Sequence, residues 1–573
     1  MIPRKRTENM TAGRILYNGI IHTLDTASSV VDAIAFGRDG KILALGRLHD
    51  MQSLIDETTE VFDLQGCFAM PGLIDFHLHA LPGMIVKLYS TRLKPTDNFA
   101  AVLERIRLAA LEPGEREWIV GSAFGPSALA DMQQLGAQAL HMLDAVSNGR
   151  PVVLEHVSGH GIFANSAALV RAGITAHTPN PPDGEIVKVA GQVTGLLHET
   201  AAWLVQDKIP ALTPQQMIDV AGKAVALFNS VGMTGFCDAS STIDMLNTFR
   251  ALDDQGRLTC WAGFTLALSS TCPGYDPAAA EHLLAEHRNI CGEHMIAGAA
   301  KIFLDGVPSL RTAAMIDPYP SDDPDVLPDH RGAMALSPEE LEEEIARFDR
   351  LGLSVKVHAI GDRAVLTVID AVEAVRRTNG PNGPQHHIAH GQFIRPDDIA
   401  RLSQLNILAD LNPPLWFPSS ASLTHKGIVG DQRYASTWPV RSLLDTGTDV
   451  AVGSDWLTIF ADINPWLALS GLLTRRDPTG KFPGVHAPEQ AISLHQALPL
   501  FTRNPALAMR LGEKTGQLAV GLSADLIVLD RDLTTISPEH IAGTKVLATF
   551  FQGRLVHPAD KHVKGIFRLT THV

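Results

Sequence analysis

The chain has 573 residues, which is enough for several domains or for one large domain with insertions. Apolar residues make up 45% of it, as in globular proteins, and a formal net charge of −15 argues against nucleic acid or an anionic membrane as a partner. There is no uninterrupted apolar run of about 18 residues, and the N-terminal MIPRKRTENM leads into no apolar stretch. We therefore expect no membrane span and no secretory signal, with residues 1–12 forming a disordered tail.

Cysteine usage also narrows the class of protein. The five cysteines are scattered, odd in number and form no C-x-x-C pair. This pattern argues against a disulfide framework or a thiolate metal site and fits a reducing cytoplasm. Any metal must then be held by the 24 histidines and the carboxylates.

Both ends of the chain are rich in short strands. Residues 13–72 alternate strands with turns, and the Arg-Asp-Gly at 38–40 indicates a hairpin. The C-terminal GQLAVGLSADLIVLD and VLATFFQGRLV show the same character. We predict one small β-sandwich-like domain built from residues 13–72 and 513–560.

The middle of the chain alternates helices and strands. Thr213 with Gln216, and Ser337 with Glu340, have the spacing of capping boxes that begin helices. Repeated βα units with apolar strands indicate a parallel sheet, and eight strands favour a closed (β/α)8 barrel over residues 73–512, with a large insertion at about 83–230. The predicted strands are PGLIDFHLH, MTGFCD, TCWAGFTLAL, MIAGAAKIFLDG, LSVKVHA, HHIAHGQFI, NILADLN and DVAVGSDW.

The most informative of these strands ends in two histidines. His77 and His79 point to the same side because strand side chains alternate, and Asp75 shares that side. Two imidazoles at this spacing are able to hold one divalent metal, with the carboxylate nearby. The alternative is that both are ordinary polar residues where a strand meets solvent.

Further polar residues follow the ends of other predicted strands. In (β/α)8 barrels the carboxyl ends of the strands carry the chemistry. The candidates are His77, His79, Lys301, His358, His390 and Asp455, from the first, fourth, fifth, sixth and eighth strands.

The motifs PGLIDFHLH, AKIFLDG, VKVHAIGDRA, HHIAHGQ and VAVGSDW, in this order, resemble those of the amidohydrolase superfamily of metal-dependent hydrolases. GSAFG, GHGIFANSAAL and GQVTGLLHE place the resemblance in the YtcJ-like branch, which includes N-substituted formamide deformylases. It covers roughly residues 13–560. It implies a (β/α)8 barrel and a zinc-activated hydroxide that cleaves a non-peptide C–N bond, as in a linear amide or an N-substituted formamide. Hydrolysis of a cyclic amide or a carboxylic ester, or an inactive metal-binding scaffold or regulatory protein, remains the alternative.

The resemblance also implies roles for the metal candidates. His77 and His79 would bind the more buried zinc, with Asp455 completing that site and serving as the catalytic acid–base residue. His358 and His390 would bind an outer zinc.

Lys301 would then bridge both ions as a carbamate, since an ammonium cannot ligate a cation. Alternatively Lys301 pairs with a carboxylate at the barrel mouth, and only one zinc is held. Lys356 is a weaker candidate for the bridge.

Four residues are candidates for substrate contact: His160, Arg311, Trp416 and Trp456. For the tryptophans, packing in the core is the alternative. The expected partner is a small-molecule substrate, with no nucleic acid and no membrane, and the sequence leaves open a homo-oligomer.

Overall fold

The computed structural model describes residues 11–558, apart from 95, 113–116, 157–160, 183, 321–326 and 457–462, and also the strand Arg568–Leu569. The predicted disordered tail therefore lies, up to residue 10, outside the described residues. No helix in the described ranges is long and apolar enough to cross a membrane.

An eight-stranded parallel sheet forms the barrel predicted from the sequence. Each strand pairs with the next one along the chain, in parallel. The strands are β1 (Leu73–Leu78), β2 (Met233–Ser241), β3 (Trp261–Leu266), β4 (Met295–Phe303), β5 (Ser354–Ala359), β6 (His386–His390), β7 (Ile407–Leu411) and β8 (Val450–Val452).

Helices follow the strands of the sheet. The predicted capping boxes are confirmed: the Glu340 backbone N–H donates to the Ser337 hydroxyl at 3.2 Å, and the Gln216 backbone N–H donates to the Thr213 hydroxyl at 3.3 Å. The helices are Pro214–Ser230, Ile243–Asp254, Pro277–Ile290, Pro338–Arg350, Asp362–Asn379, Pro396–Gln404, Ser420–Val429, Asp431–Ala435, Val440–Asp445, Pro465–Thr474, Leu494–Ala497 and Arg503–Ala508.

The barrel closes where β1 meets the residues that follow β8. The Asp455 backbone N–H donates to the His77 carbonyl at 2.6 Å, and the His79 backbone N–H donates to the Trp456 carbonyl at 2.9 Å. The Ser454 backbone N–H donates to the Asp75 carboxylate at 2.9 Å. We call this contact the β1–β8 junction, and it places His77, His79 and Asp455 at one end of the barrel.

Gly453 allows the two strands of the junction to approach. A Cβ at this position would lie 2.2 Å from the His77 backbone nitrogen and 2.6 Å from its Cα. Because this neighbour is backbone, it cannot move aside as a side-chain tip would. We predict that Gly453→Ala lowers the free energy of unfolding by about 1–3 kcal/mol, measured by urea or thermal unfolding.

The matched control for this prediction is Gly427→Ala. Gly427 lies in the helix Ser420–Val429, and a Cβ there would meet nothing within 4 Å. Alanine at this position should stabilise the protein by about 0.5–1 kcal/mol. Equal melting temperatures for the two variants would contradict the role given to Gly453.

The chain between Leu81 and Val220 forms a separate compact unit. It has its own core, which includes Phe99, Val102 and Phe163. Its sheet runs in the order Gly184–Val189, Gln192–Glu199, Gly161–Ala164, Val152–His156, Ile119–Phe124 and Ser90–Arg92. Its helices are Phe99–Leu111, Pro126–Leu135, Ala137–Val146, Ser166–Ala172 and Thr200–Gln206, and the helix Ala80–Tyr89 leads into it.

Strands from both ends of the chain form two further sheets, and residues of both sheets, such as Leu16 and Leu526, share one core. The predicted hairpin is confirmed by the antiparallel pairing of Ala33–Phe36 with Ile42–Gly46. One sheet contains Arg568–Leu569, Glu60–Asp63, Arg14–Tyr17, Ala33–Phe36 and Ile42–Gly46, and the other contains Arg554–His557, Val546–Phe551, Leu526–Leu529, Phe68–Pro71, Ile20–His22 and Val30–Val31.

Candidate metal centre

The polar residues singled out at the strand ends come together at one end of the barrel. The ring centroids of His77 and His79 are 6.0 Å apart, those of His77 and His390 5.0 Å, and those of His390 and His358 4.5 Å. The Lys301 Nζ lies 4.6 Å from the ring of Phe303, which in turn lies 5.7 Å from the ring of His358.

Three of these residues converge on one point. Asp455 Oδ1 lies 3.7 Å from His77 Nε2 and 3.4 Å from His79 Nε2. One ligand atom from each of the three residues lies within 4.8 Å of the other two, and no other trio of this kind occurs in the described part of the chain. His77 Nε2 is buried and has no hydrogen-bond partner. A buried nitrogen of this kind is costly unless a ligand satisfies it, so the donor set fits a divalent metal.

Two of the gathered residues have unusual backbone conformations. His390 has a φ of 74° and Asp455 a φ of 50°, both in the left-handed region. Non-glycine residues occupy this region at an energetic cost, and such residues cluster at functional sites. His390 ends β6 and Asp455 follows β8. The left-handed backbone therefore gives each side chain a direction that a regular strand conformation would not give it.

Burial keeps the histidines neutral. It lowers the pKa of His77 to about 4 and that of His390 to about 3, and it lowers the pKa of His358 well below its ordinary value. Imidazole must be neutral to ligate a metal. At neutral pH these three side chains therefore have lone pairs available for a cation.

Asp455 is ionised at neutral pH. Burial alone would raise the pKa of this carboxyl, but its hydrogen bond with His79 and the nearby His77 and His390 outweigh burial and hold the pKa far below the usual range. An ionised carboxylate beside neutral imidazoles is a suitable ligand set for zinc and a suitable proton acceptor.

Lys301 is buried, with 1% of its surface exposed. Burial and the neighbouring Lys356 lower the pKa of its ammonium to about 8. Its Nζ lies 4.6 Å from the centroid of the Phe303 ring, and the ion pairs found among the described residues include none between Lys301 and a carboxylate. At neutral pH, a larger fraction of Lys301 is therefore in the neutral amine form than for a lysine at the protein surface.

Lys356 and Asp410 form a second buried feature beneath these residues. Lys356 Nζ lies 3.0 Å from Asp410 Oδ2 and donates a hydrogen bond to the Phe76 carbonyl at 2.6 Å. These contacts occupy Lys356, which the sequence had suggested as a weaker bridging candidate. Asp410 was not singled out from the sequence, although an acid inside the apolar run ILADL is a signal, because such residues are seldom buried without a partner.

Three other buried carboxylates hold backbone groups around the site. Asp75 Oδ1 accepts from the backbone N–H groups of His77 and Ser454, at 3.1 and 2.9 Å. Asp238 accepts a hydrogen bond from the backbone N–H of Ala80 at 2.9 Å.

Asp305 accepts hydrogen bonds from the backbone N–H groups of Ile360, Gly361 and Ala314, each at 2.9 Å. Burial raises the pKa of Asp75 and of Asp305 to about 7.

The four candidates for substrate contact are placed as follows. Trp416 and Trp456 are fully buried, and Trp456 packs edge-on against Phe228 with centroids 5.9 Å apart. Arg311 is partly exposed in a left-handed conformation, and its carbonyl accepts a hydrogen bond from His330 Nε2 at 2.8 Å. His160 lies outside the described residues. Substrate contact by these residues stays a prediction.

A parallel eight-stranded barrel with histidines and an aspartate gathered at its strand ends is an architecture that suits a metal-dependent enzyme. The sequence pattern of the amidohydrolase family matches residues 60–557. The chain belongs to this family.

Relatives extend over nearly the whole chain. The N-substituted formamide deformylase of Arthrobacter pascens is 28% identical, over 94% of this chain and 97% of that protein. The protein YtcJ of Bacillus subtilis (strain 168) is 26% identical, over 95% and 99%. An uncharacterized metal-dependent hydrolase from Pyrococcus horikoshii OT3 has the same fold, with a TM-score of 0.73, 22% identity, and coverage of 92% of this chain and 99% of that one. These comparisons confirm the superfamily and branch inferred from the motifs.

Proposed function

We propose that this protein is a zinc-dependent hydrolase of linear amides, with N-substituted formamides as the preferred class. The observation that carries the proposal is the convergence of His77, His79 and Asp455 around a buried imidazole nitrogen without a partner. The similarity to a formamide deformylase over nearly the full length supports the substrate class.

The donor atoms favour zinc among the common divalent ions. Two imidazoles and a carboxylate suit zinc, whereas magnesium and calcium prefer sites made of oxygen ligands alone. His358 and His390 offer two further imidazoles beside the trio, since their centroids are 4.5 Å apart and His390 lies 5.0 Å from His77. A second zinc held by these two is part of the proposal, with Lys301 as a carbamate between the ions.

When bound, zinc would act as a Lewis acid that polarises a carbonyl and lowers the pKa of water, so that hydroxide is available as the nucleophile at neutral pH. Asp455 is ionised, and its Oδ1 lies 3.4 Å from His79 Nε2, beside the proposed metal position. It therefore accepts the proton of the attacking water. It then returns that proton to the leaving amine, without which the C–N bond would not break readily. His77 and His390 stay neutral because burial lowers their pKa values, and both serve as ligands together with His79.

The test is hydrolysis of a panel of substrates by metal-free and zinc-loaded protein. The panel comprises formanilides, lactams and aryl esters, and kcat/KM is measured for each. We expect formanilides to be the best substrates, with activity lost after removal of the metal and restored by zinc but not by magnesium or calcium. Preference for lactams or esters would overturn the substrate class, and full activity of metal-free protein would overturn the metal-dependent mechanism.

A further inference from the structure

The buried carboxylate of Asp410 contacts the side chain of His77. His77 Nδ1 lies 2.7 Å from Asp410 Oδ2, and both residues are fully buried. An ionised carboxylate only accepts hydrogen bonds, so Nδ1 carries the proton and Nε2 carries the lone pair. Nε2 is the atom that lies 3.7 Å from Asp455 Oδ1.

Lys356 keeps this carboxylate in place. Its Nζ contacts the same oxygen, Asp410 Oδ2, at 3.0 Å and donates to the carbonyl of Phe76, the residue before His77. The ammonium also lies 3.9 Å from the centroid of the Phe76 ring. The pair thus acts on both the imidazole and the backbone of β1, while Asp75 holds the His77 backbone N–H from another direction.

Asp349, Arg376 and His386 form a similar group elsewhere in the barrel, and none of the three is a candidate metal ligand. Asp349 Oδ2 accepts from Arg376 at 2.6 Å and lies 3.2 Å from His386 Nε2. His386 begins β6, at the opposite end of that strand from His390, so this histidine is not part of the metal centre. The chain therefore offers a carboxylate, cation and histidine group with a structural role only, as an internal control.

We propose that Asp410 is a positioning residue for the metal centre: with Lys356, it fixes the tautomer and orientation of His77 so that Nε2 is presented to the metal. This inference deepens the proposed zinc site and rests on it. Asp410 Oδ2 contacts His77 Nδ1 and Lys356 Nζ. It acts through His77, as carboxylate partners of metal-ligating histidines do.

The test compares two double variants that both remove the buried ion pair. Lys356→Met is used in each, because a thioether packs well on the Phe76 ring. Asp410→Asn retains an oxygen that accepts from Nδ1, whereas Asp410→Leu fills the space without an acceptor. Zinc affinity is measured on metal-free protein by competition with a chromophoric chelator, and thermal unfolding is recorded without metal.

We expect the Asp410→Leu/Lys356→Met variant to bind zinc about 10–100-fold more weakly than the native protein. The Asp410→Asn/Lys356→Met variant should bind zinc nearly as well as the native protein. The control variant Asp349→Leu/Arg376→Met should lose stability but keep the native zinc affinity. Equal affinity of the two Asp410 variants would overturn the proposal. Failure of the native protein to bind zinc would instead overturn the proposed function.

A second measurement decides the matter if the leucine variant does not fold. Native metal-free protein with ¹⁵N-labelled histidine should give a His77 signal of the neutral tautomer protonated at Nδ1, assigned by its loss in His77→Gln. A proton on Nε2 would overturn the proposal.

Discussion

Replacement of Asp455 by asparagine should lower kcat by about 10³-fold or more, with a smaller change in KM. The amide keeps the shape of the side chain and one coordinating oxygen, but it cannot accept the proton of the attacking water. The backbone contacts of residue 455 at the β1–β8 junction do not depend on the side chain, so the variant should fold. Steady-state kinetics and metal content measured on the same preparation check this prediction.

The matched control is Asp445→Asn, a carboxylate at the exposed end of the helix Val440–Asp445. It makes the same chemical change outside the site and should leave kcat and metal content unchanged. Near-native turnover of the Asp455→Asn variant with metal bound would show that another group is the base.

Replacement of Lys301 by alanine should remove most of the second equivalent of zinc and most activity, and short carboxylic acids should restore part of both. Burial holds the pKa of Lys301 at about 8, so an appreciable share of the amine is neutral at physiological pH. A neutral amine combines with CO₂ to give a carbamate and a proton. A small carboxylate resembles the carbamate and fits the space left by the truncated side chain.

The comparison variant for this rescue is His77→Ala, which should also lose metal and activity. Acetate or propionate should not restore it, because the missing ligand is an imidazole. If Lys301→Ala has native activity and metal content without added acid, the lysine has a structural role only. If the acids restore neither variant, the carbamate assignment is wrong.

The positions of the gathered residues could be predicted because they follow from strand periodicity. His77 and His79 sit two positions apart at the end of an apolar strand, His358 is the last residue but one of the fifth strand, and His390 ends the sixth. In a parallel barrel all carboxyl ends lie on one side, so placing strands along the sequence is enough to group these side chains.

The contacts inside the barrel could not be predicted in the same way. Lys356 lies two positions before His358 and shares its face, which made it a candidate bridge. Its actual partner, Asp410, comes from β7, two strands away in the sheet. Which residues meet across the interior depends on the stagger of the strands and on bulges, such as the register shifts between β1 and β2. Neither the stagger nor the bulges can be predicted from the local pattern of apolar and polar residues.

The β1–β8 junction has a consequence for how the protein is made. Asp75 and Ser454, which meet there, lie 379 positions apart. A ribosome adds about 5–20 residues per second, so roughly 20–75 s separate the synthesis of the two. During that time His77 and His79 exist without Asp455, and the trio of ligands is incomplete. The metal site proposed for these three residues is therefore complete only late in synthesis, once the last strand of the barrel and Asp455 have been made.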